Sequence, residues 1–167
     1  MKKVLIGLML VLLAFPLTAQ ACSCIPPSAQ ESYKDADVIF AGKVTKVIYV
    51  DDSTGIGCDE PRTIVHFQVG AYWKGNARVS MTLHTVENRC SCDGYDFIEG
   101  ETYLVYAYEE TAAGWGTKDG AQLSLPDDGR LNPDDKILGT SYCSRTSPLL
   151  WRLKDVAIFG KPKEPQQ

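Results

Sequence analysis

Apolar and polar residues alternate along much of the chain, which is the pattern of half-buried β-strands. The clearest stretch is residues 63–73, whose apolar face is predicted to hold Val65, Phe67, Val69, Ala71 and Trp73. Similar patterns predict strands at 37–50, 79–83, 103–108 and 137–143, with a short strand at 121–125. Gly42 interrupts the first of these and predicts a β-bulge or a sharp coiling of the strand there.

Two short helices are predicted to flank the strands. Ser28 and Glu31 have the spacing of a capping box, which begins a helix through Asp35. Ser147 and Pro148 predict the start of a second helix, which Gly160 ends. One face of that helix is predicted to carry Leu149, Leu150, Leu153 and Ala157. Five or six strands between two helices predict an all-β fold, a closed five-stranded barrel of the oligomer-binding (OB) type.

The first 21 residues have the pattern of a cleavable signal peptide. Lys2 and Lys3 precede an apolar run at 4–15, and Ala19 and Ala21 occupy the two positions that a signal peptidase reads. The run is shorter than the roughly 20 apolar residues that a membrane span needs. The protein is therefore expected to be exported, either to a periplasm or to the exterior as a secreted protein.

Cleavage after Ala21 would leave Cys22 as the first residue of the mature chain. Lipoprotein processing also leaves a cysteine first but acylates it, so a lipid-anchored form stays open as an alternative. That route prefers a larger aliphatic residue where this chain has Ala19. We therefore expect Cys22 to carry an unblocked amine.

The charge of the remaining chain argues against a nucleic-acid partner. The signal segment contains two of the 17 basic residues and none of the 21 acidic ones, which leaves 15 basic residues and a net charge of −6. One domain is expected over residues 22–160, followed by a polar tail at 161–167. No later stretch is long and apolar enough to be a transmembrane segment.

No catalytic constellation is evident, so we expect no enzymatic activity and no cofactor. Nucleophile-elbow, P-loop and dinucleotide-binding motifs are missing from the sequence. The two histidines, His66 and His84, are predicted to be solvated strand residues rather than zinc ligands. The three tryptophans are expected to pack in the core or at its rim: Trp73, Trp115 and Trp151.

All six cysteines follow the signal segment: Cys22, Cys24, Cys58, Cys90, Cys92 and Cys143. An even number of cysteines in an exported chain predicts three disulfides, and the spacing alone leaves fifteen pairings open. We expect the cysteines of the two Cys-x-Cys pairs to form structural disulfides rather than to bind a soft metal. A redox-active dithiol is not expected either, because no Cys-x-x-Cys motif opens a helix.

The mature start combines Cys22, Ser23 and Cys24 with a variable residue and a proline, and this pattern is specific. It resembles the N-terminus of the tissue inhibitors of metalloproteinases, which begin with Cys, a small residue, Cys, a variable residue and proline. Similar stretches follow at residues 36–41, 67–75, 92–95 and 140–144. The resemblance covers most of residues 22–150 and one position departs from it: Lys34 stands where that family has a third cysteine.

The resemblance implies a fold and a disulfide pattern. The fold would be an OB barrel of the netrin-like type. The family pattern implies disulfides Cys22–Cys92 and Cys24–Cys143, which leave Cys58–Cys90 as a bridge that the family lacks. Cys90 remains an alternative partner for Cys22, because a single residue separates it from Cys92.

The resemblance also implies a function, inhibition of zinc metalloendopeptidases. The amine and carbonyl of Cys22 would then chelate the zinc of a target protease. The inhibitory edge would consist of Cys22, Ser23, Cys24, Ile25, Pro26 and Ser91. The alternative is a non-inhibitory, exported netrin-like module that binds other proteins, in which the N-terminal cysteine is only a structural staple.

Overall fold

A computed structural model of the chain describes residues 24–25, 27–50, 62–86, 94–112, 124–125, 129–130 and 134–167. At 124–125 and 129–130 it describes the backbone alone. The helices within these ranges are α1 (Ala29–Asp35) and α2 (Leu153–Phe159), with 3₁₀ turns at Tyr142–Ser144 and Leu149–Arg152. The strands are β1 (Val38–Val50), β2 (Arg62–Lys74), β3 (Ser80–Val86), β4 (Thr102–Thr111), β5 (Ser124–Leu125), β6 (Gly129–Arg130), β7 (Lys136–Gly139) and β8 (Ser147–Pro148).

Five strands close into a barrel in the order β1-β2-β3-β7-β4, and β4 pairs back onto β1. The β3–β7 pairing is parallel, whereas the other barrel pairings are antiparallel. The predicted all-β, five-stranded OB-type barrel with two short helices is therefore confirmed. Strand β8 adds two residues beside β4, and β5 pairs with β6 in a separate small hairpin.

The two larger apolar clusters of the barrel lie on opposite faces of the sheet, and a small third one joins Ala112, Ile137 and Val86. The inner cluster fills the barrel and contains Phe40, Val65, Phe67, Leu83, Tyr103 and Val105 among others. The outer cluster lies where β1, β2 and β4 meet the helices, and contains Ile39, Trp73, Leu104 and Tyr106. Tyr33 of α1 and Phe159 of α2 pack against this outer cluster. Both helices therefore pack against the outer wall of the barrel.

The capping box of α1 forms as predicted. The Glu31 amide donates to Ser28 Oγ at 3.2 Å, and the Ser28 amide donates to the Glu31 carboxylate at 2.7 Å. Hydrogen bonding of the Glu31 carboxylate to the Ser28 side chain and backbone lowers the pKa of Glu31 below its ordinary value. The helix ends at Asp35, and the Ala36 amide donates to the Ser32 carbonyl just before the chain enters β1.

The alternation predicted for β2 is right up to Val69 and wrong beyond it. Gly42 pairs with Val69 whereas Ala41 pairs with Ala71, so Gly70 is an extra residue on β2. A bulge of one residue exchanges the two faces of a strand. Tyr72 therefore enters the barrel, and Trp73 lies in the outer cluster instead.

The start of the C-terminal helix also differs from the prediction. Ser147 and Pro148 pair with β4, so they do not cap a helix, and the chain continues as the 3₁₀ turn before α2. A 3₁₀ turn has three residues per turn rather than 3.6, which rotates the inward face. Leu149 packs inward with Val156 and Phe159 of α2. Leu150 and Leu153, which were predicted to share one apolar face with Leu149, are exposed, and so is Trp151, which was expected in the core or at its rim.

The polar tail is attached to the barrel by its backbone. Lys163 and Tyr72 exchange two amide-to-carbonyl hydrogen bonds of 2.8 and 3.0 Å. Gln166 accepts from the Val79 amide at 2.8 Å and donates to the Ala77 carbonyl at 2.9 Å. No helix in the part of the chain that the structure describes is long and apolar enough to cross a membrane.

Candidate functional site

Two of the six predicted edge residues lie in the described part of the chain, and they are Cys24 and Ile25. Cys24 is half-buried, and the side chain of Ile25 is 95 % exposed. The remaining edge residues lie outside the described residues: Cys22, Ser23, Pro26 and Ser91. The implied bridges Cys22–Cys92 and Cys58–Cys90 lie outside them as well.

A disulfide joins Cys24 to Cys143, as the resemblance implies. The two Cα atoms are 5.5 Å apart and the residues are separated by 119 positions. Cys143 was expected at the end of a strand, but β7 ends at Gly139 and Cys143 lies in the 3₁₀ turn Tyr142–Ser144. The bridge thus fixes the N-terminal segment to a tight turn just past the last barrel strand.

Arg145 provides a second attachment for the same segment. Its Nη1 donates to the Pro27 carbonyl at 2.8 Å, three residues after Cys24. Its Nε and Nη2 donate to the two carboxylate oxygens of Asp155 on α2, at 2.6 and 2.9 Å. A two-pronged pair of this kind is both stronger and more directional than a single hydrogen bond. The backbone on either side of Ile25 is therefore held while its side chain projects into solvent.

Arg145 has a backbone conformation that most residues avoid. Its φ is +74°, and it is the one non-glycine residue with positive φ among those described. Such a conformation costs on the order of 1 kcal/mol. This conformation points the side chain toward α2 and Pro27. The ion pair with Asp155 and the hydrogen bond to Pro27 that it makes there offset the cost.

Asp155 is almost completely buried, and its charge is stabilised by two donors. The carboxylate accepts from the Tyr106 hydroxyl at 2.9 Å as well as from Arg145. Burial by itself raises the pKa of Asp155, but the hydrogen bonds from Arg145 and Tyr106 outweigh it and hold the pKa below its ordinary value. Burial, reinforced by the neighbouring carboxylate, raises the pKa of Tyr106. At neutral pH the aspartate is therefore charged and the tyrosine hydroxyl is the donor.

Three buried hydroxyl groups fix the 3₁₀ turn Tyr142–Ser144 to β4. We call this turn, which contains Cys143, the cysteine turn. Thr140 Oγ1 donates to the Tyr106 carbonyl at 2.8 Å and lies 2.8 Å from both Ser144 Oγ and Thr146 Oγ1. Thr146 Oγ1 accepts from the Tyr106 amide at 3.0 Å. Because each of these polar groups is satisfied within the cluster, the turn has a defined position relative to the barrel.

The loop that contains Ser91 and Cys92 begins and ends beside this turn. Val86 ends β3, and Gly94 resumes the described chain with its carbonyl 2.8 Å from the Tyr142 amide. The Tyr95 amide donates to the Val86 carbonyl at 3.2 Å and to Thr85 Oγ1 at 2.9 Å. Tyr95 and Tyr142 stack with ring centroids 6.5 Å apart. The two ends of residues 87–93 are therefore fixed next to the turn that holds Cys143.

Neither histidine belongs to a cluster of potential metal ligands among the residues that the structure describes. Within the described ranges no group of three or more His, Cys, Asp or Glu residues is placed to hold a metal ion. His66 Nδ1 lies 3.1 Å from Thr82 Oγ1 on the neighbouring strand. The prediction that His84 is solvated is wrong, because it is buried where β3 meets β7 and pairs with Gly139.

Sequence patterns did not indicate the residues that support the edge. Arg145, Asp155 and Tyr106 form one buried group, although they come from a turn, a helix and a strand. One signal was present for Asp155: it is the single acid between residues 149 and 163, at a position between apolar residues that face the barrel. No pattern in the sequence indicates the left-handed conformation of Arg145.

No protein-family model matches this chain, and no curated protein matches it. The resemblance to the tissue inhibitors of metalloproteinases therefore rests on the chain's own residues.

Proposed function

We propose that the mature protein is an exported inhibitor of zinc metalloendopeptidases that uses its N-terminal segment as the inhibitory edge. The observation that carries the proposal is the attachment of this segment to Cys143 and Arg145, just past the last barrel strand. Cys24 is bound to Cys143, Pro27 is bound to Arg145, and Ile25 between them is 95 % exposed. An exposed segment that is attached on both sides has the properties of a preorganised ligand for a protease groove.

The chemistry of the edge would come from the first mature residue. A catalytic zinc keeps one coordination position for water or substrate. The α-amine and the carbonyl oxygen of Cys22 would chelate that metal in a five-membered ring and displace the water. The amine must be neutral to coordinate, and its pKa of about 8 makes deprotonation near pH 7 cost only about 1 kcal/mol.

Rigid attachment would reduce the entropy lost on binding. Ordering a flexible residue's backbone costs about 1–2 kcal/mol, and an edge of several residues would lose most of its affinity in this way. The Cys24–Cys143 bridge and the Arg145–Pro27 hydrogen bond restrict the segment before a protease arrives. The binding energy of the edge would then be available for the contact itself.

Extension of the N-terminus by one residue tests the chelation directly. A variant with one alanine before Cys22 keeps the same disulfides but moves the charged amine away from the metal. We expect the native protein to inhibit members of a panel of zinc endopeptidases and the extended variant to lose that inhibition, with equal thermal stability for both. Intact mass should first show the loss of residues 1–21 and no attached lipid. Equal inhibition by the two forms would rule out the chelating amine.

The exposed residue beside the bridge gives a second measurement on the same protease. Ile25→Arg places a bulky charge in the proposed contact. The control is Val79→Arg, which changes an exposed residue just before the start of β3, whereas the cysteine turn lies near the other end of that strand. We expect the inhibition constant to rise for Ile25→Arg and to stay unchanged for Val79→Arg. Absence of inhibition across the whole panel by the unextended protein would favour the non-inhibitory binding module.

A further inference from the structure

The C-terminal segment, which consists of the 3₁₀ turn Leu149–Arg152 and α2, exposes several apolar side chains and buries its one acid, Asp155. The exposed side chains are Leu150 at 80 %, Trp151 at 77 %, Leu153 at 56 % and Ile158 at 52 %. We call these four residues the outer patch. Asp155 on the same segment is 3 % exposed. A surface helix ordinarily has the reverse arrangement, and exposed apolar groups clustered on one element indicate an interaction site.

The exposed charges on this segment are all positive. Lys154 follows Leu153 in α2, Lys161 lies just beyond Gly160, which ends the helix, and both side chains are exposed. Asp155 is the only acid between residues 149 and 163, and Arg145 and Tyr106 already engage its carboxylate. This basic segment belongs to a mature chain whose net charge is −6.

The outer patch is also rigid. The Trp73 indole donates to the Gly160 carbonyl at 3.1 Å, which fixes the end of α2. Arg152 Nε donates to the Arg145 carbonyl at 3.2 Å, which fixes the turn before it. Phe159 packs on the barrel from the opposite side of the helix. The patch therefore exists before any partner binds, and its use requires no unfolding.

We propose that the outer patch docks this protein onto a membrane surface that contains anionic phospholipid. Tryptophan and leucine partition into the interface between headgroups and acyl chains, and flanking lysines pair with anionic headgroups. The exposed lysines complement an anionic surface, whereas a second copy of the chain would bring a second set of the same lysines to the interface. Leu150, Trp151 and Leu153 enter the headgroup boundary while Lys154 and Lys161 remain at the phosphates. This inference does not depend on the inhibitor proposal.

Vesicle co-sedimentation tests the proposal with purified protein whose intact mass excludes an attached lipid. We expect binding to vesicles of phosphatidylglycerol and phosphatidylcholine in equal parts, and little binding to phosphatidylcholine alone. The variant Leu150→Ser/Trp151→Ser should bind at least about tenfold more weakly, because two buried apolar groups are lost. Val79→Ser, at an exposed apolar residue on the β2–β3 connection, is the matched control and should bind like the native protein.

A second variant, at Lys154 and Lys161, tests the contribution of charge to vesicle binding. Lys154→Gln/Lys161→Gln should weaken binding and reduce its sensitivity to salt, since fewer headgroup contacts remain to be screened. Thermal melts of each variant should match the native protein, because all four positions are exposed. Absence of native binding to the anionic vesicles, or equal binding by Leu150→Ser/Trp151→Ser, would overturn the proposal. So would a native dimer, seen by sedimentation velocity, that this double variant abolishes.

Discussion

Arg145 connects two segments that are far apart in the sequence, the N-terminal edge and the C-terminal helix. Its guanidinium binds the Pro27 carbonyl and both oxygens of Asp155 at the same time. A lysine at this position could not do the same, because its single ammonium group lacks the planar fork. The proposed edge therefore depends on a residue that would not itself touch a protease.

Asp155 should make the stability of the protein sensitive to acid. Its pKa is lower in the folded protein than the ordinary value of 3.8, so it stabilises the fold at every pH above that value. As the pH falls below 3.8 and passes the folded pKa, the carboxylate takes up a proton and this contribution disappears. Arg145 and Tyr106 then face a neutral acid, and the charge-assisted hydrogen bonds are lost.

The variant Asp155→Asn isolates that contribution. At pH 7 it should unfold more easily by about 3 kcal/mol, because Arg145 keeps its charge without a buried partner. Denaturant unfolding of both proteins from pH 7 down to pH 2 should show the difference shrinking below pH 4. A difference that stays constant over this range would contradict the assignment of the acid sensitivity to Asp155.

The β-strands show how far a sequence pattern extends before three-dimensional packing overrides it. Residues Val65 to Val69 alternate in sequence and in the structure, because one face of β2 fills the barrel. The alternation of apolar and polar residues continues through Trp73 in the sequence. In the structure the extra residue Gly70 exchanges the inner and outer faces of β2 beyond it. The position of a bulge depends on how β1 and β2 coil around the core, and neither strand's own sequence contains that information.

The bulge falls where two aromatic rings leave no room for a side chain. A Cβ on Gly42 would lie 3.0 Å from the Phe40 ring and 3.2 Å from the Phe67 ring. The sequence did indicate an irregularity at Gly42, yet the extra residue is its neighbour on the partner strand. The glycine serves close packing, and the bulge beside it directs Tyr72 into the barrel.

For helix α2 the sequence pattern predicts the helix itself correctly but not which of its residues face the barrel. Its residues are helical as predicted, and Gly160 ends it with φ of +78°. The 3₁₀ turn before it changes which residues face inward, so Leu150 and Leu153 are exposed and Asp155 is buried. The pairing of Ser147 with Leu104 and of Pro148 with Tyr103, which are tertiary contacts, precedes that turn and fixes where it begins.

Gly94 approaches the backbone of Val86 more closely than a residue with a side chain could. A Cβ there would lie 2.0 Å from the Val86 carbonyl oxygen, a backbone atom that cannot turn aside. We expect Gly94→Ala to destabilise the protein by about 2 kcal/mol or more, because the close approach beside Tyr142 must open. Gly70→Ala is the control, since a Cβ at that position would have no atom within 4 Å, and it should change stability by no more than about 0.5 kcal/mol.

Thermal melts give the stability change, and amide hydrogen exchange shows where it originates. The Tyr95 amide donates to Val86 and Thr85, and the Tyr142 amide donates to Gly94. Faster exchange of these two amides in Gly94→Ala would place the damage at the loop ends. Similar stability of the two alanine variants would contradict the importance of this approach.

The molecule as a whole combines a closed barrel with attachments that link distant parts of the chain. Closure of β1 onto β4 removes the free sheet edges of the barrel. The Cys24–Cys143 bridge and the Arg145 contacts then bring the N-terminal segment and α2 to the same side of β4. The barrel supplies a rigid frame, and the edge and the outer patch are both carried by segments attached to its outside.

The Cys24–Cys143 bridge should be the largest single source of stability among these attachments. It spans 119 positions, and in the chain-entropy model a loop of that length is worth about 4–5 kcal/mol. The variant Cys24→Ser/Cys143→Ser should therefore melt about 10 °C or more below the native protein. The barrel pairings do not involve either cysteine, so its circular dichroism at low temperature should remain that of a β-protein. Ile25→Ser, a change at the exposed neighbour, should leave the melting temperature within about 2 °C. A melting temperature for the double cysteine variant close to that of Ile25→Ser would mean that the barrel and the Arg145 contacts hold the N-terminal segment without the bridge.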